Sequence, residues 1–329
     1  MPFLFLMRIN MMIRKHILFV SLLTLSFYVS AQNFSKDRYT SIEQSTRQYA
    51  QKQGEVLRMD IFSPEPDTVS HKPVIVYVHG GGFSGGKRDE ERHLQFCRRF
   101  ARKGYLTITI DYTLHMKGKS FGCDRPSQEK LSTFLKTGQD ISRAISYLTK
   151  QHKILGIDTT KIILAGSSAG AEAVLHAAFW NKTRIDGNKQ ILPESFHYGG
   201  VISMAGAIAN PDWITRKNAV PTMFFHGAND KLVPYGTAPH HYCEATKAGF
   251  LMLFGPEPLT VKLKDLEESY FSLVDPNGGH EWNEIPLYEN ENEITEFLYQ
   301  TVILGKIQQT VRIENAVQKE SNSPSGYLN

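Results

Sequence analysis

Ser168 lies in the pentapeptide GSSAG (166–170), directly after an apolar run that ends at Ala165. A serine in a G-x-S-x-G turn between a strand and a helix sits at a sharp bend, where glycines avoid clashes and the hydroxyl is exposed. Such a serine can act as a nucleophile, and the N–H of the next residue, Ala169, can bind an oxyanion. The motif therefore predicts nucleophilic catalysis by Ser168, with a glycine-rich turn of no catalytic role as the alternative.

A second glycine-rich stretch, HGGGF (79–83), follows the apolar run 73–78. A short β-branched run bounded by glycine is typical of a buried parallel strand, and the glycines let backbone N–H groups approach a ligand. Acyl transfer needs such donors around the oxygen that becomes negative. We therefore predict an oxyanion hole near this loop, with Phe83 as a wall of the substrate pocket. The predicted donors are the backbone N–H groups of Gly81, Gly82 and Ala169.

The same stretch contains another G-x-S-x-G match, centred on Ser84. The charged run 87–91 follows it, which is typical of the start of a solvated helix. Ser168 is instead followed by small apolar residues that suit a helix buried beneath a sheet. Structural context therefore favours Ser168 as the nucleophile.

Candidates for an acid and a base lie downstream of this serine. Asp230 follows the strand-like run 220–225, where a carboxylate can orient a histidine on a neighbouring loop and stabilise its imidazolium. His280 follows the strand-like run 270–274 through a glycine-bearing loop, and we predict that it is the general base. Asp230 has a turn-forming role as its alternative, and Asp275 is the other acid placed near His280.

Two further histidines, His240 and His241, also follow Asp230 in the chain. They fall in a run that predicts a helix over 237–247, where we expect surface or packing residues rather than a metal-binding pair. No other pattern of ligands indicates a metal or an organic cofactor. The predicted site is therefore independent of both.

Strand-like and helix-like runs alternate along most of the chain. This pattern predicts an α/β fold with a doubly wound, mostly parallel sheet, helices on both faces and sites at the carboxyl ends of the strands. We also expect an N-terminal β-hairpin. The longest loops are too short for a large cap domain, which predicts an open cleft. Aromatic residues near the strand ends are expected to line it, with core positions as the alternative. They are Phe83, Tyr112 and Trp213.

The motifs HGGGF, GSSAG, HGANDKLVP and GGH, in this order, resemble the serine esterases of the α/β-hydrolase superfamily. The resemblance spans about residues 56–304 and is nearest to the small bacterial carboxylesterase and feruloyl- or acetyl-xylan-esterase-like group. It implies an α/β-hydrolase fold with Ser168 as nucleophile, His280 as base and acid, and Asp230 as the residue that orients His280. Hormone-sensitive-lipase-like members usually carry GDSAG, whereas this chain has Ser167 where they have the aspartate, so the subfamily and the substrate stay open.

The first 31 residues predict a cleaved signal peptide. They combine basic residues at the start, an apolar stretch (17–29) and small residues up to Ala31. The apolar stretch is shorter than the roughly twenty residues that span a bilayer. We therefore expect export to the periplasm or the medium, with no membrane anchoring after cleavage near Ala31.

The expected domains are the signal peptide (1–31), one α/β-hydrolase catalytic domain (32–305) and a polar, disordered tail (306–329). The chain has 37 Lys and Arg against 33 Asp and Glu, and part of the basic excess lies in the signal segment. This balance indicates no nucleic-acid partner. The sequence leaves the pairing of Cys123 with Cys243 open, because it does not place their Cα atoms.

These features predict an exported serine carboxylic-ester hydrolase that acts through an acyl-enzyme. Its expected substrates are short acyl or aromatic esters, as small molecules or on decorated polysaccharide. One alternative is a prolyl-oligopeptidase-like peptidase, which usually carries a large additional domain that the sequence does not show. The other is a non-catalytic binding module on the same fold. The oligomeric state is not predicted.

Overall fold

The computed structural model describes residues 34–52, 54–67, 70–180, 185 and 191–314. The predicted signal peptide therefore lies outside the described residues, as does the chain after 314. Over the described ranges, none of the helices is both long enough and apolar enough to cross a bilayer.

Strands and helices alternate along the described chain. The strands are β1 (Ser41–Lys52), β2 (Glu55–Glu65), β3 (Lys72–Val78), β4 (Leu106–Ile110), β5 (Ile157–Ser167), β6 (Gly200–Met204), β7 (Thr222–Gly227), β8 (Thr237–Pro239), β9 (Met252–Phe254), β10 (Tyr270–Asp275) and β11 (Gln309–Ile313). The α-helices are α1 (Glu91–Arg102), α2 (Ser127–Lys150), α3 (His152–Leu155), α4 (Ala169–Phe179), α5 (Pro256–Asp265) and α6 (Glu291–Leu298).

One large sheet has the strand order β1-β2-β4-β3-β5-β6-β7-β10-β11. The strands from β4 to β11 in this order are parallel to one another, and the antiparallel β1–β2 hairpin pairs with β4. All residues of β3, β4, β6 and β10 are buried, as expected for a parallel sheet that is covered on both faces. The predicted α/β fold, with its mostly parallel sheet and N-terminal hairpin, is confirmed.

Side-chain alternation along β3 separates two apolar cores, one on each face of the sheet. Val74, Val76 and Val78 lie in one core, which α2, α4 and α5 cover. Ile75 and Tyr77 lie in the other, which α1 and α6 cover. The carboxyl ends of the parallel strands therefore meet at one edge, between the two helical layers.

The predicted helix over 237–247 is wrong. Thr237–Pro239 pair antiparallel with β9, and His240–Tyr242 form a short 3₁₀ turn. His241 has a φ of 56°, which no regular helix tolerates. Pro239 has no N–H to donate to a helix, and the strand pairing with β9 satisfies the neighbouring backbone groups instead.

The predicted disordered tail is wrong for Gln309–Ile313, which form β11 at the edge of the sheet, parallel to β10. Backbone hydrogen bonds to β10 hold this strand, and its alternating residues are exposed. An edge strand needs little apolar content, which explains why polar composition misleads here. The tail after 314 lies outside the described residues.

Cys123 and Cys243 form a disulfide, with their Cα atoms 5.3 Å apart. The bond joins the loop after β4 to the loop after β8. Cys97, by contrast, is a buried free thiol on α1. The disulfide therefore settles the pairing that the sequence left open, and it fastens two loops at the carboxyl edge of the sheet.

Candidate active site

Ser168 lies at the bend between β5 and α4 with φ 50° and ψ −122°, a conformation that L-residues rarely adopt. Two glycines make this bend possible. A Cβ on Gly166 would lie 2.4 Å from the carbonyl oxygen of Gly170, and a Cβ on Gly170 would lie 2.1 Å from that of Val78. The N–H of Ser168 donates to the carbonyl of Met204 at 2.8 Å, which fixes the bend against β6.

The structure brings the three predicted polar residues together. The Oγ of Ser168 lies 2.8 Å from Nε2 of His280, and Nδ1 of His280 lies 2.7 Å from Oδ2 of Asp230. Asp230 follows β7 and His280 follows β10, and these two strands are neighbours in the sheet. The resulting chain of contacts has the geometry of a Ser–His–Asp triad.

Asp230 is fully buried, and backbone donors and histidines surround its carboxylate. Its Oδ1 accepts from the N–H groups of Leu232 at 2.8 Å and Val233 at 3.0 Å. Burial by itself raises the pKa of this carboxyl, but the contacts from His226 and His280 outweigh burial and hold the pKa well below its ordinary value. The group is therefore a carboxylate at neutral pH. It fixes the proton of His280 on Nδ1, which leaves Nε2 as the proton acceptor.

Asp275, the other acid considered as a partner of His280, points elsewhere. Its Oδ2 accepts from the indole N–H of Trp282 at 3.2 Å, and its Oδ1 accepts from the N–H of Asn277 at 2.9 Å. These contacts shape the loop that carries His280. The structure therefore gives Asp275 a structural place and Asp230 the contact with the imidazole.

Backbone N–H donors lie beside Ser168 on two elements. Gly81 and Gly82 have φ angles of 107° and 59°, which glycine adopts without strain. A Cβ on Gly81 would lie 2.4 Å from the carbonyl oxygen of Gly85, so this loop requires glycine. Ala169 opens α4, where an N–H has no acceptor within the helix. The predicted oxyanion donors thus line the same pocket as Ser168.

That pocket has a volume of about 320 Å³. Its walls mix apolar and polar residues from the segments that follow six different strands. Beyond the residues already named, the wall side chains include Phe121, Leu232, Glu172, His240, His241 and Asn283. Over the described ranges, no group of three or more His, Cys, Asp and Glu side chains is arranged to hold a metal ion.

The prediction that Phe83 walls the substrate pocket is wrong. The φ of Phe83 is 57°, and its fully buried ring packs in the core. The ring centroid lies 4.9 Å from that of Phe121 and 5.7 Å from that of Phe134, in edge-to-face contacts. Phe121, which no motif marks, contacts this core and also lines the pocket.

Tyr112 and Trp213 were also predicted to line the cleft, and they too lie outside the described lining of this pocket. The ring of Tyr112 stacks on His79 at 4.4 Å, and its hydroxyl donates to the carbonyl of His79 at 3.0 Å. Trp213 stacks on Trp180 at 4.5 Å. Both residues support the loops and helix around the site, which is the core role left as the alternative.

Two residues of the pocket are not predicted as site residues by the sequence. Glu172 lies one turn after Ser168 on α4, and His240 lies in the turn after β8. The Nε2 of His240 is 3.3 Å from Oε1 of Glu172. The signal that marks Glu172 is that it is the only acid in a helix of small and apolar residues that also holds His176. His240 has no such signal, because the sequence predicts a helix where the structure has a loop.

The disulfide fastens two walls of the pocket to each other. Cys123 lies two residues after Phe121, and Cys243 lies two residues after His241. The N–H of Gly249 also donates to the carbonyl of Cys123 at 2.9 Å, which adds a backbone link between the same loops. The position of Phe121 relative to the two histidines therefore depends on the covalent bond.

Comparisons with known proteins find esterases among the similar chains. The BD-FAE family model matches residues 59–209, a segment that contains Ser168, Gly81 and Gly82 but neither Asp230 nor His280. The chain is similar to Gut esterase 1 of Caenorhabditis elegans, with 25% identity over 158 residues, 48% of this chain and 25% of that protein. The match thus spans about a quarter of the relative's length.

Solved structures share the fold. Esterase 2 of Thermogutta terrifontis phosphorylated by paraoxon has a TM-score of 0.56 and 16% identity, covering 80% of this chain and 95% of that chain. The butyrate-bound form of that esterase has a TM-score of 0.54 and 17% identity, covering 78% of this chain and 93% of the other. At this level of identity, the likeness establishes the architecture of the sheet and its helices.

Proposed function

We propose that this chain, which has the α/β-hydrolase fold and resembles the serine esterases of that superfamily, hydrolyses carboxylic esters through an acyl-enzyme on Ser168. One observation carries the proposal: Oγ of Ser168, the imidazole of His280 and the carboxylate of Asp230 are joined by contacts of 2.8 and 2.7 Å. Fold alone does not define activity, so the proposal depends on this site.

Acylation begins when Oγ of Ser168 attacks the carbonyl carbon of the ester and Nε2 of His280 accepts its proton. The carbonyl oxygen becomes negative and accepts hydrogen bonds from the backbone N–H groups of Gly81, Gly82 and Ala169. The bond between the carbonyl carbon and the alcohol oxygen then breaks. His280 returns the proton to this oxygen, so a neutral alcohol leaves and the acyl group stays on Ser168.

Deacylation repeats these steps with water. His280 accepts a proton from water as the water oxygen attacks the acyl carbon, and the bond to Oγ of Ser168 breaks. Oγ recovers its proton from His280, and a carboxylic acid is released. The Asp230 carboxylate stays ionised throughout and stabilises the imidazolium that forms in both halves of the reaction.

The pocket supports acyl groups of modest size. Its volume of about 320 Å³ is near the lower end of the roughly 300–1,000 Å³ that is usual for small-molecule sites. Short acyl and aromatic esters fit this range, and a polysaccharide that carries them would lie outside the pocket. Export, which the signal-like segment 1–31 supports, would bring the enzyme to such a carrier.

Ester hydrolysis is tested with the purified protein on nitrophenyl acetate, nitrophenyl butyrate, acetylated and feruloylated saccharides, and a proline amide. We expect ester turnover that Ser168→Ala abolishes. Ser84→Ala is the matched control, because Ser84 lies in the second G-x-S-x-G match and its hydroxyl donates to the carbonyl of Gly81; it should retain turnover.

Two results would contradict the proposal. Full ester turnover by Ser168→Ala would exclude Ser168 as the nucleophile. Turnover of the amide without turnover of any ester would instead assign a peptidase to this site.

A further inference from the structure

The buried end of the pocket is polar. Glu172 and His240 both line it, with only 2% and 1% of their surfaces exposed. The Nε2 of His240 lies 3.3 Å from Oε1 of Glu172. Burying polar groups costs free energy unless they are hydrogen-bonded. An unsubstituted apolar acyl group makes no hydrogen bond to this pair. A ligand that carries a polar group can make one, and we therefore ask which ligand the pair fits.

Hydrogen-bonding capacity remains open in this pair. Within the part of the chain that the structure describes, neither Oε1 of Glu172 nor Nδ1 of His240 makes a hydrogen bond, because the 3.3 Å contact between Oε1 and Nε2 of His240 lacks hydrogen-bond geometry. The side chain of Lys130 lies nearby, but its Nζ donates to the carbonyl of Gly249 at 2.9 Å. The ring of Phe121 packs edge-on to His240 at 5.2 Å and covers one side. The pair is thus a buried polar patch with Phe121 on one side and His241, whose ring centroid lies 4.2 Å from that of His240, on another.

The surroundings favour uncharged forms of both side chains. Burial raises the pKa of Glu172 well above its ordinary value; Lys130 opposes this rise and Asp230 adds to it. Burial lowers the pKa of His240, and His241 and Lys130 lower it further. A neutral carboxyl and a neutral imidazole each offer one donor and at least one acceptor. This chemistry suits a hydroxyl group, which both donates and accepts, better than an anion or a cation.

The acyl part of an ester, rather than its alcohol, faces this pair. His280 must return a proton to the departing alcohol, and its side chain is 23% exposed, so the alcohol leaves on the solvent side. Glu172 and His240 line the same pocket as Ser168 and are the most buried polar side chains of its lining. The acyl group on Ser168 therefore extends toward the buried end, where Glu172 and His240 lie.

We propose that Glu172 and His240 form a specificity site for a hydroxyl group on the acyl part of the substrate, so that the enzyme prefers esters of hydroxylated acids. The inference rests on the proposed ester hydrolysis at Ser168. A bound hydroxyl uses the open donor and acceptor of the pair. An apolar acyl group of the same shape leaves both unpaired, and sites built for a hydroxyl discriminate against analogues that lack it.

The wild-type enzyme tests this preference with matched methyl esters. The three pairs are methyl lactate with methyl isobutyrate, methyl β-hydroxybutyrate with methyl isovalerate, and methyl phloretate with methyl hydrocinnamate. They place the hydroxyl at increasing distances from the carbonyl. We expect kcat/KM to be roughly tenfold or more higher for the hydroxylated ester in at least one pair. Equal kcat/KM within every pair, with turnover that still requires Ser168, overturns the inference and leaves the proposed function standing.

Variants of the pair test its role directly. Glu172→Leu and His240→Leu should bring the ratio of kcat/KM within the preferred pair toward one. Glu172→Gln keeps an amide donor and acceptor and should retain part of the ratio. Leu232→Ala, which changes an apolar side chain that lines the same pocket, should leave the ratio unchanged even where it alters both rates.

These experiments distinguish a variant that does not fold from a specificity site that does not exist and from a protein that hydrolyses no ester. Thermal unfolding reports whether each variant is folded, and if Glu172→Leu is not, then Glu172→Gln and His240→Leu decide. A ratio that stays at its wild-type value in all folded variants overturns the specificity site. Absence of turnover for every ester in the wild type overturns the proposed hydrolysis itself, and the specificity site with it.

Discussion

The Nε2 atom of His280 lies 2.8 Å from Oγ of Ser168, although the two residues are 112 positions apart in the chain. Two strands, β6 and β7, separate the strands that carry them. Both side chains leave the sheet at its carboxyl edge, which is where ligands bind in folds of this kind. The parallel sheet therefore creates this contact, and the loops only adjust it.

Asp230→Asn should lower kcat for ester hydrolysis by about 10⁴-fold, because an amide cannot hold the proton of His280 on Nδ1. Asp275→Asn is the matched control: it changes the acid that contacts Trp282 rather than His280, and it should cost far less. Steady-state kinetics on nitrophenyl butyrate measure both effects. Equal losses in the two variants would mean that Asp230 has no special role.

The free energy of unfolding of Glu172→Gln, relative to that of the wild type, should increase as pH rises above about 4. Burial raises the pKa of Glu172 in the folded state, so this state binds more protons than the unfolded state in that range. The wild type therefore loses stability as pH rises, by up to about 1.4 kcal/mol per pH unit, until the pH passes the folded pKa. The neutral amide of the variant has no such loss.

Urea unfolding at a series of pH values measures this difference. The control is Glu267→Gln, since the side chain of Glu267 is 85% exposed and its charge is solvated in both states. A stability difference for Glu172→Gln that is flat from pH 4 to pH 8, as in the control, would show that Glu172 is ionised in the folded protein.

Reduction of the disulfide should lower the free energy of unfolding and release the two pocket loops from each other. The bond joins residues 120 positions apart, and the chain-entropy model gives about 4–5 kcal/mol for a loop of this order. Cys123→Ser should show a similar loss, with no further loss when a reductant is added. Chemical unfolding with thiol titration measures it, and a wild type that is fully reduced yet equally stable would contradict this role.

Gly170→Ala should destabilise the protein by more than about 2 kcal/mol, the range of severe steric substitutions. Its Cβ would lie 2.1 Å from the carbonyl oxygen of Val78, which is backbone and cannot move aside. Gly85→Ala is the control, because its Cβ would meet nothing within 4 Å. The melting temperatures of the two variants measure the difference, and that of Gly170→Ala should be lower. Equal melting temperatures would mean that the bend around Ser168 relaxes easily.

Local motifs predict the polar contacts of the site well, for a physical reason. Ser168, Asp230 and His280 each follow an apolar strand, and parallel strands bring their carboxyl ends to one edge of a sheet. Glycines mark where the backbone must bend sharply or approach a ligand. The sheet and the positions of these residues therefore follow from short segments of sequence.

The pocket walls do not follow from the sequence in the same way. The direction of the Phe83 ring depends on a φ of 57°, which no motif reveals, and the ring enters the core instead of the cleft. Glu172 and His240 meet only because the segment after β8, which forms a short 3₁₀ turn instead of an α-helix, packs against α4. The shape of the pocket walls thus depends on long-range packing and on a disulfide, whereas the contacts among Ser168, His280 and Asp230 follow from the parallel sheet and from the turns that end its strands.

Trapping the acyl-enzyme tests the central claim most directly. The purified protein is mixed with nitrophenyl butyrate, quenched in acid within the first turnover, digested and analysed by mass spectrometry. The account predicts a burst of one nitrophenolate per protein and a butyryl group on Ser168. Ester turnover with a butyryl group on another residue, or with no covalent intermediate in the burst phase, would contradict it.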